Sequence, residues 1–334
     1  MVLSELGELA LIEKIRSRFK TADQRVLLSI GDDAAVFRCN DDKIAVTTDL
    51  MAEAVHFDYA FTTFYQTGFK LVASNVSDIY AMGGVPAFAF LDIALMKERT
   101  VEQFDELMLG VQDACDRFQV HVLGGDVSSS RRGDFYSATL VGFVRNPVAR
   151  SGARTGDRIF VFGTLGDSAA GLAYLRRLNR KVILEREHDA SVMDIEEPVI
   201  ESMRRHLLPV PGNPEPFVDA IHAMIDVSDG LLIDLSRLCS ESGKGAIIYQ
   251  EKLPVSEGTK KIASYLQADY NEYVLSGGED YALLFTSDSN AIPGCTCIGE
   301  IIESGHYLVD RDGTKRPFIP KGYTHFADVD TGKI

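Results

Sequence analysis

Strand-like and helix-like stretches alternate along this chain, and that alternation confines it to folds in which helices cover a sheet. Residues 43–48 read as a strand, 68–82 as a helix, 87–95 as a strand and 100–118 as a helix. Thr100 with Gln103 three residues on forms a capping box that starts the second helix. Residues 135–144 and 158–162 read as further strands, and Asp312-Gly313 inside an apolar stretch predicts a hairpin turn. The expected class is α/β or α+β. With 334 residues, 46% of them hydrophobic, the chain can bury two cores. Pro147, Gly152 and Gly156 make residues 145–157 turn-rich, so the expected domains are 1–148 and 149–334. Residues 208–216 hold four prolines and a glycine and read as a long surface connection.

The formal net charge of −15 argues against a grip on nucleic acid or anionic lipid, which needs clustered Lys and Arg. Small polyanions remain open to it, provided its carboxylates first collect divalent cations. The five cysteines are odd in number and scattered, which fits a reducing compartment. Cys295 and Cys297 lack metal-site spacing and suit alternate strand positions. Residues 1–20 mix Glu5, Glu8, Glu13 and Lys14 into their apolar residues, so neither a signal peptide nor a membrane span is expected. A cytoplasmic protein is the expectation.

Acidic residues gather beside Gly, Ser or Thr at the ends of apolar runs: Asp32 and Asp33, Asp49, Asp78, Asp126, Asp226 and Asp229, and Glu279 with Asp280. A carboxylate at the end of a buried strand loses water and needs backbone donors or a cation. Each alone is more often a turn former or helix cap; so many together point to Mg²⁺, which takes hard oxygen ligands. Zinc lacks usable thiolate or imidazole spacing here. Neither a Walker A loop nor a Rossmann fingerprint is present. Gly163-Thr164-Leu165-Gly166 is either a phosphate loop or a tight turn. Val76-Ser77-Asp78 with Gly124-Gly125-Asp126 is echoed by Val227-Ser228-Asp229 with Gly277-Gly278-Glu279, which would make the halves related units presenting acidic turns.

In order along the chain stand Gly31-Asp32-Asp33-Ala34-Ala35, Thr47-Thr48-Asp49, His56-Phe57, Asn75-Val76-Ser77-Asp78 with Ala81-Met82-Gly83, and Gly124-Gly125-Asp126. Arg150-Ser151-Gly152-Ala153, Gly166-Asp167-Ser168, Asp226-Val227-Ser228-Asp229-Gly230-Leu231, Ser276-Gly277-Gly278-Glu279-Asp280-Tyr281 and Lys321-Gly322-Tyr323 follow. This set resembles the thiamine-monophosphate kinase family over nearly the whole chain. Ala54 stands where glycine is common in that family, and Ser74-Asn75-Val76 varies its usual Val-Asn-Leu.

The resemblance implies two α/β domains, the N-terminal one pairing through its sheet in a homodimer. It implies transfer of the γ-phosphoryl of ATP to thiamine monophosphate, with several Mg²⁺ ions. Asp33, Thr47, Thr48, Asp49, Asp78, Asp126, Asp226 and Asp229 are the implied metal ligands. Gly125, Asp126, Arg150 and Ser228 are the implied ATP contacts, and His56, Glu279 and Tyr323 the acceptor contacts. Asp49, Asp126 and Arg150 are the expected catalytic groups. Another ATP-dependent synthetase of the same superfamily, or a nucleotide-binding regulator, is the alternative.

Overall fold

The computed structural model describes residues 24, 26–28, 32–39, 42–184 and 191–325. The expectations for residues 1–20, and Gly31 of the first acidic motif, lie outside the described residues.

The N-terminal sheet is built from β1 (Val26–Leu28), β2 (Ala35–Cys39), β3 (Asp42–Ala52), β4 (Val85–Met96), β5 (His121–Ser130) and β6 (Phe135–Phe143), in the order β1-β2-β3-β6-β4-β5. All neighbours are antiparallel except β4 and β5. Helix α1 (Phe64–Ala81) lies on one face, and α2 (Val101–Phe118) packs against α1. Strand periodicity decides what faces the helix. Ala45, Thr47 and Met51 of β3 are buried beneath it while Thr48 and Leu50 point to the open face. Leu71, Val72, Val76 and Ile79 of α1 meet Ala89, Leu91, Tyr136 and Leu140 in one core.

The α2 capping box is formed as expected. A second box, Thr63 with Gln66, starts α1 at Phe64, one turn before the predicted start at residue 68. The two helices cross at glycines. A Cβ on Gly110 would lie 1.9 Å from the Tyr65 carbonyl oxygen, and one on Gly68 2.1 Å from that of Leu107. Gly110→Ala therefore forces the helices apart and should cost about 3 kcal/mol of stability, read in urea melts. An unchanged midpoint would mean that the crossing relaxes freely.

The C-terminal sheet runs β13-β12-β9-β11-β7-β10-β8, from β7 (Arg158–Phe162), β8 (Ala223–Val227), β9 (Gly245–Tyr249), β10 (Ala282–Ser287), β11 (Thr296–Ile302), β12 (His306–Val309) and β13 (Lys315–Pro317). Only β9 and β12 pair in parallel. Its helices are α3 (Asp167–Leu178), α4 (Glu197–Leu207), α5 (Leu231–Ser242), α6 (Glu257–Leu266) and α7 (Tyr270–Ser276). One side of the sheet packs Ile159, Val161 and Ile225 on Leu235 and Leu238 of α5. The other places Phe160, Met224 and Phe285 against Ala81 at the end of α1, so the halves share packing there. The hairpin at Asp312-Gly313 forms, with Gly313 at φ +79.

Two expectations need correction. The two halves have different strand orders, and Asp78 sits inside a helix while Asp229 follows a strand. The echo in sequence is therefore not a structural repeat. Nor is residues 208–216 a loose surface connection. Pro209, Pro211 and Pro214 are buried, Leu208 and Val210 pack on the N-terminal core, and a Cβ on Gly212 would meet the Phe162 ring at 2.5 Å. Proline has no N–H to leave orphaned, so a proline-rich strap can be buried without a ladder partner.

Candidate active site

Helix α1 is buried almost throughout, yet it carries Lys70, Ser74, Asn75, Ser77 and Asp78. Residues 70, 74, 77 and 78 follow helical spacing, so they form a polar stripe on a buried helix. Each finds a partner from another element. Thr47 of β3 donates its hydroxyl to Asp78 at 2.6 Å, and Ser77 donates to Asp226, at the end of β8, at 2.7 Å. Asp33 closes the group: carboxylate oxygens of Asp33, Asp78 and Asp226 lie within 4.8 Å of one another.

Three carboxylates so close cannot all be ionised cheaply. Burial, then the charges of Asp49, Asp226 and Asp33, push the Asp78 carboxyl well above its ordinary range. Burial and Asp33 do the same to Asp226. Asp49, on the helix-facing side of β3, is pushed up by burial and by Asp229, while a hydrogen bond from Ser74 opposes them. Arg150 supplies the nearest positive charge. Its Nε and Nη2 donate to Asp33 at 2.9 and 2.7 Å, and its backbone N–H reaches Asp32 at 3.2 Å. Burial and the Asp33 charge nonetheless raise Asp32 to about 6. Ser242 fixes the loop that carries Arg150: its hydroxyl accepts from Gly152 and Ala153 and donates to the Arg150 carbonyl at 2.7 Å.

Asp229 leads into α5. Its N–H and that of Gly230 both donate to Asp234 at 3.0 Å, and its carboxylate pairs with Arg237. Burial, then the Asp229 charge, raises Asp234 to about 7. The donor set around Asp33, Thr47, Asp49, Asp78 and Asp226 is all oxygen and short of positive charge. It fits Mg²⁺ and offers zinc no thiolate or imidazole.

Three expected site residues stand apart from this group. Thr48 points to the opposite face of the sheet and bonds Thr139 at 3.0 Å, because neighbouring residues of a strand face opposite ways. Gly125 and Asp126 lie on β5, three strands from β3, with Asp126 exposed opposite Asp92. Gly125, at φ +144, admits no side chain: a Cβ would sit 1.8 Å from the Leu91 carbonyl oxygen.

A second cluster adjoins the first. Glu279 holds φ 63, and its N–H donates to the Ser228 carbonyl at 2.7 Å. Its carboxylate meets Lys70 at 2.8 Å and His206 of α4 at 3.2 Å. Burial pushes the Glu279 carboxyl up, but the Lys70 ammonium and the His206 ring outweigh it and hold it well below the usual carboxylate range. His56, just beyond β3, accepts from the Ala52 N–H at 3.1 Å, and burial lowers its pKa so that the ring is neutral at pH 7. His325 links it to Tyr323, with ring centroids 5.4 Å from His56 and 4.9 Å from Tyr323. The Tyr323 N–H donates to the Asp229 carbonyl at 2.9 Å, so this second cluster is tied to the acidic residues.

The glycine turn before α3 serves as a turn, not a phosphate loop. Gly163 and Gly166 take φ +120 and +86, and the N–H groups of Gly166 and Ser168 donate to the chain's own Asp280 at 2.6 and 3.0 Å. Burial raises Asp280 to about 7. A carboxyl whose folded pKa lies above its unfolded value stabilises fully below the unfolded pKa, and that contribution is lost as pH rises through the folded one. Asp280→Asn should flatten the fall in melting temperature between about pH 4 and pH 7; an unaltered slope would assign it to other carboxyls.

Lys70, His206, Asp234 and Arg237 were not singled out in the sequence. The polar stripe on α1 was the available signal for Lys70; the others become visible only once α4 and α5 are placed.

Comparison with known proteins bears on the family and the fold. Residues 31–144 match the N-terminal domain of AIR synthase related proteins, and 154–310 match their C-terminal domain. Thiamine-monophosphate kinase of Aquifex aeolicus is 36% identical, covering 98% of this chain and 100% of that protein. The enzyme of that name from Salmonella typhimurium is 34% identical, with 96% and 98% covered. A solved structure described as AaThiL complexed with AMPPCP and TMP superposes with a TM-score of 0.83 at 35% identity, covering 97% of this chain and 99% of that one. Sequence similarity over nearly full length and a shared two-sheet fold thus agree, and the chain belongs to the thiamine-monophosphate kinase family.

Proposed function

We propose that this chain transfers the γ-phosphoryl group of ATP to the phosphate of thiamine monophosphate, releasing thiamine diphosphate and ADP. The observation that carries the reading is the convergence of Asp33, Asp78 and Asp226 within 4.8 Å, with Thr47 and Asp49 alongside. Such a group repels phosphate unless cations occupy it. We assign Mg²⁺ to Asp33, Thr47, Asp49, Asp78, Asp226 and Asp229, and, apart from these, to Thr48 and Asp126 on the open face of the N-terminal sheet. When bound, Mg²⁺ supplies the charge neutralisation and alignment that bringing two anions together requires.

The protein's own groups do the rest. Arg150, whose Nε and Nη2 hold Asp33, brings a guanidinium charge to the site for a phosphate, and the loop held by Ser242 presets its direction. Gly125 and Ser228 are the other proposed ATP contacts, where close backbone approach matters more than side-chain chemistry. An acceptor phosphate oxygen attacks the γ-phosphorus, and the bond to the β-phosphate oxygen breaks with its electron pair leaving on ADP. The acceptor phosphate is already largely ionised at neutral pH, so no general base is needed. His56, kept neutral by burial, is suited to contact the acceptor rings. Tyr323 is 41% exposed and offers a ring face, while Glu279 offers negative charge to a cationic ring.

We further assign the chain a homodimer joined through the open face of the N-terminal sheet, where Leu50, Phe90, Phe135 and Phe143 are exposed. The halves 1–148 and 149–334 act as domains in this reading, and the free cysteines suit the cytoplasm. No described helix is long and apolar enough to cross a membrane. ADP release measured with thiamine monophosphate and, separately, with aminoimidazole precursors tests the acceptor. Turnover confined to the thiamine compound supports the reading, and turnover confined to the others overturns it.

A further inference from the structure

A lysine in the core of a helix is costly, and a buried ion pair is no more stabilising than an apolar pair of the same volume. Lys70 is such a residue: its side chain is 5% exposed, that of His206 4%, and both point at one carboxylate that is itself 26% exposed. The turn presenting that carboxylate is held at several points. Glu279 and Tyr281 take φ 63 and 49, their N–H groups donate to Ser228 and Val227, and Asp280 between them receives two N–H groups from the start of α3. Backbone strain at two non-glycine residues so close together persists only where the surroundings enforce it.

We propose that Lys70 and His206 are positioning residues for the acceptor: they hold Glu279 in a single orientation, one carboxylate oxygen each, and leave its open edge facing the acceptor's cationic ring. The proposal rests on the reading of Glu279 as an acceptor contact. Lys70 comes from α1, His206 from α4, and His56 faces Glu279 from beyond β3, while its own turn adds the Tyr281 hydroxyl and the buried Asp280 carboxyl, whose titration near pH 7 is common to variant and wild type. The two positioning residues therefore come from different halves of the chain, and the acceptor subsite depends on their packing. Removing the Lys70 charge leaves only His206 to oppose the effect of burial on Glu279, so its carboxyl takes up a proton at higher pH and loses its attraction for a cation.

The test is the KM for thiamine monophosphate from pH 5.5 to 8, expressed as the ratio of variant to wild type so that the substrate's own titration cancels. For Lys70→Met the ratio should rise about tenfold as pH falls across that range, while the KM for ATP changes less than about twofold. Lys70→Arg should restore a flat ratio, and His206→Gln should shift it in the same direction by less. Glu279→Gln should raise the acceptor KM equally at every pH, and adding Lys70→Met to it should change nothing further. A pH-independent ratio in Lys70→Met, or equal loss for both substrates, overturns the proposal. Should Lys70→Met fail to fold, recovery by the added Glu279→Gln supports the pairing and failure to recover refutes it. A wild-type protein that forms no thiamine diphosphate would show in the reference arm and overturn the functional reading itself.

Discussion

Asp78→Asn should lower turnover at least about a hundredfold while raising the melting temperature of the metal-free protein. Both effects come from one charge. Asp78 is buried beside Asp49, Asp226 and Asp33, which push its carboxyl well above the ordinary range, so its ionised form opposes folding at neutral pH. Asparagine keeps an oxygen to accept the Thr47 hydroxyl, now 2.6 Å from Asp78, and removes the repulsion. It also removes an anionic ligand from the proposed Mg²⁺ site. The check is the rate at limiting Mg²⁺ beside a melt in chelator. Near-normal activity would remove Asp78 from the ligand set.

Arg150→Met should move the melt the other way. Asp33, whose side chain is 1% exposed, would lose both donors of its fork, and breaking a buried pair from one side costs about 3–5 kcal/mol. Mg²⁺ should recover part of that loss by compensating Asp33, whereas it does little for an apolar cavity. On the catalytic side, kcat/KM for ATP should fall about a hundredfold to a thousandfold, the usual loss when a donor to developing phosphate charge is removed. Acceptor KM should change far less. The opposite signs of the two metal-free melts are what a site overloaded with negative charge requires. Two variants that both lowered the melt would point to ordinary packing damage.

Local signals in the sequence were enough for most elements. Strand limits at 158–162, the Thr100 box and the Asp312-Gly313 hairpin depend on residues close in the chain, and all form where expected. The acidic residues were also legible as a group, because glycine, serine and threonine beside carboxylates break the apolar runs around them. Their settings were not. Asp78 lies within a helix, so the expected acidic turn holds for Asp229 but not for Asp78, and Asp49, expected at the end of an apolar run, lies inside a strand that continues to Ala52. Thr47 and Thr48 read alike in sequence, yet the two-residue period of β3 sends them to opposite faces. Lys70 and His206 are 136 positions apart, a separation no local pattern spans, and they meet only because α1 and α4 pack around the Glu279 turn. The proline-rich segment misled for a related reason: composition marks it as irregular, but only tertiary contacts decide whether irregular backbone is exposed.

The central claim is tested most directly by incubating the purified protein with MgATP and thiamine monophosphate and following the thiamine species by chromatography. The account predicts thiamine diphosphate and ADP in equal amounts, with formation abolished by chelator. Folded protein that binds ATP yet forms no thiamine diphosphate would contradict it.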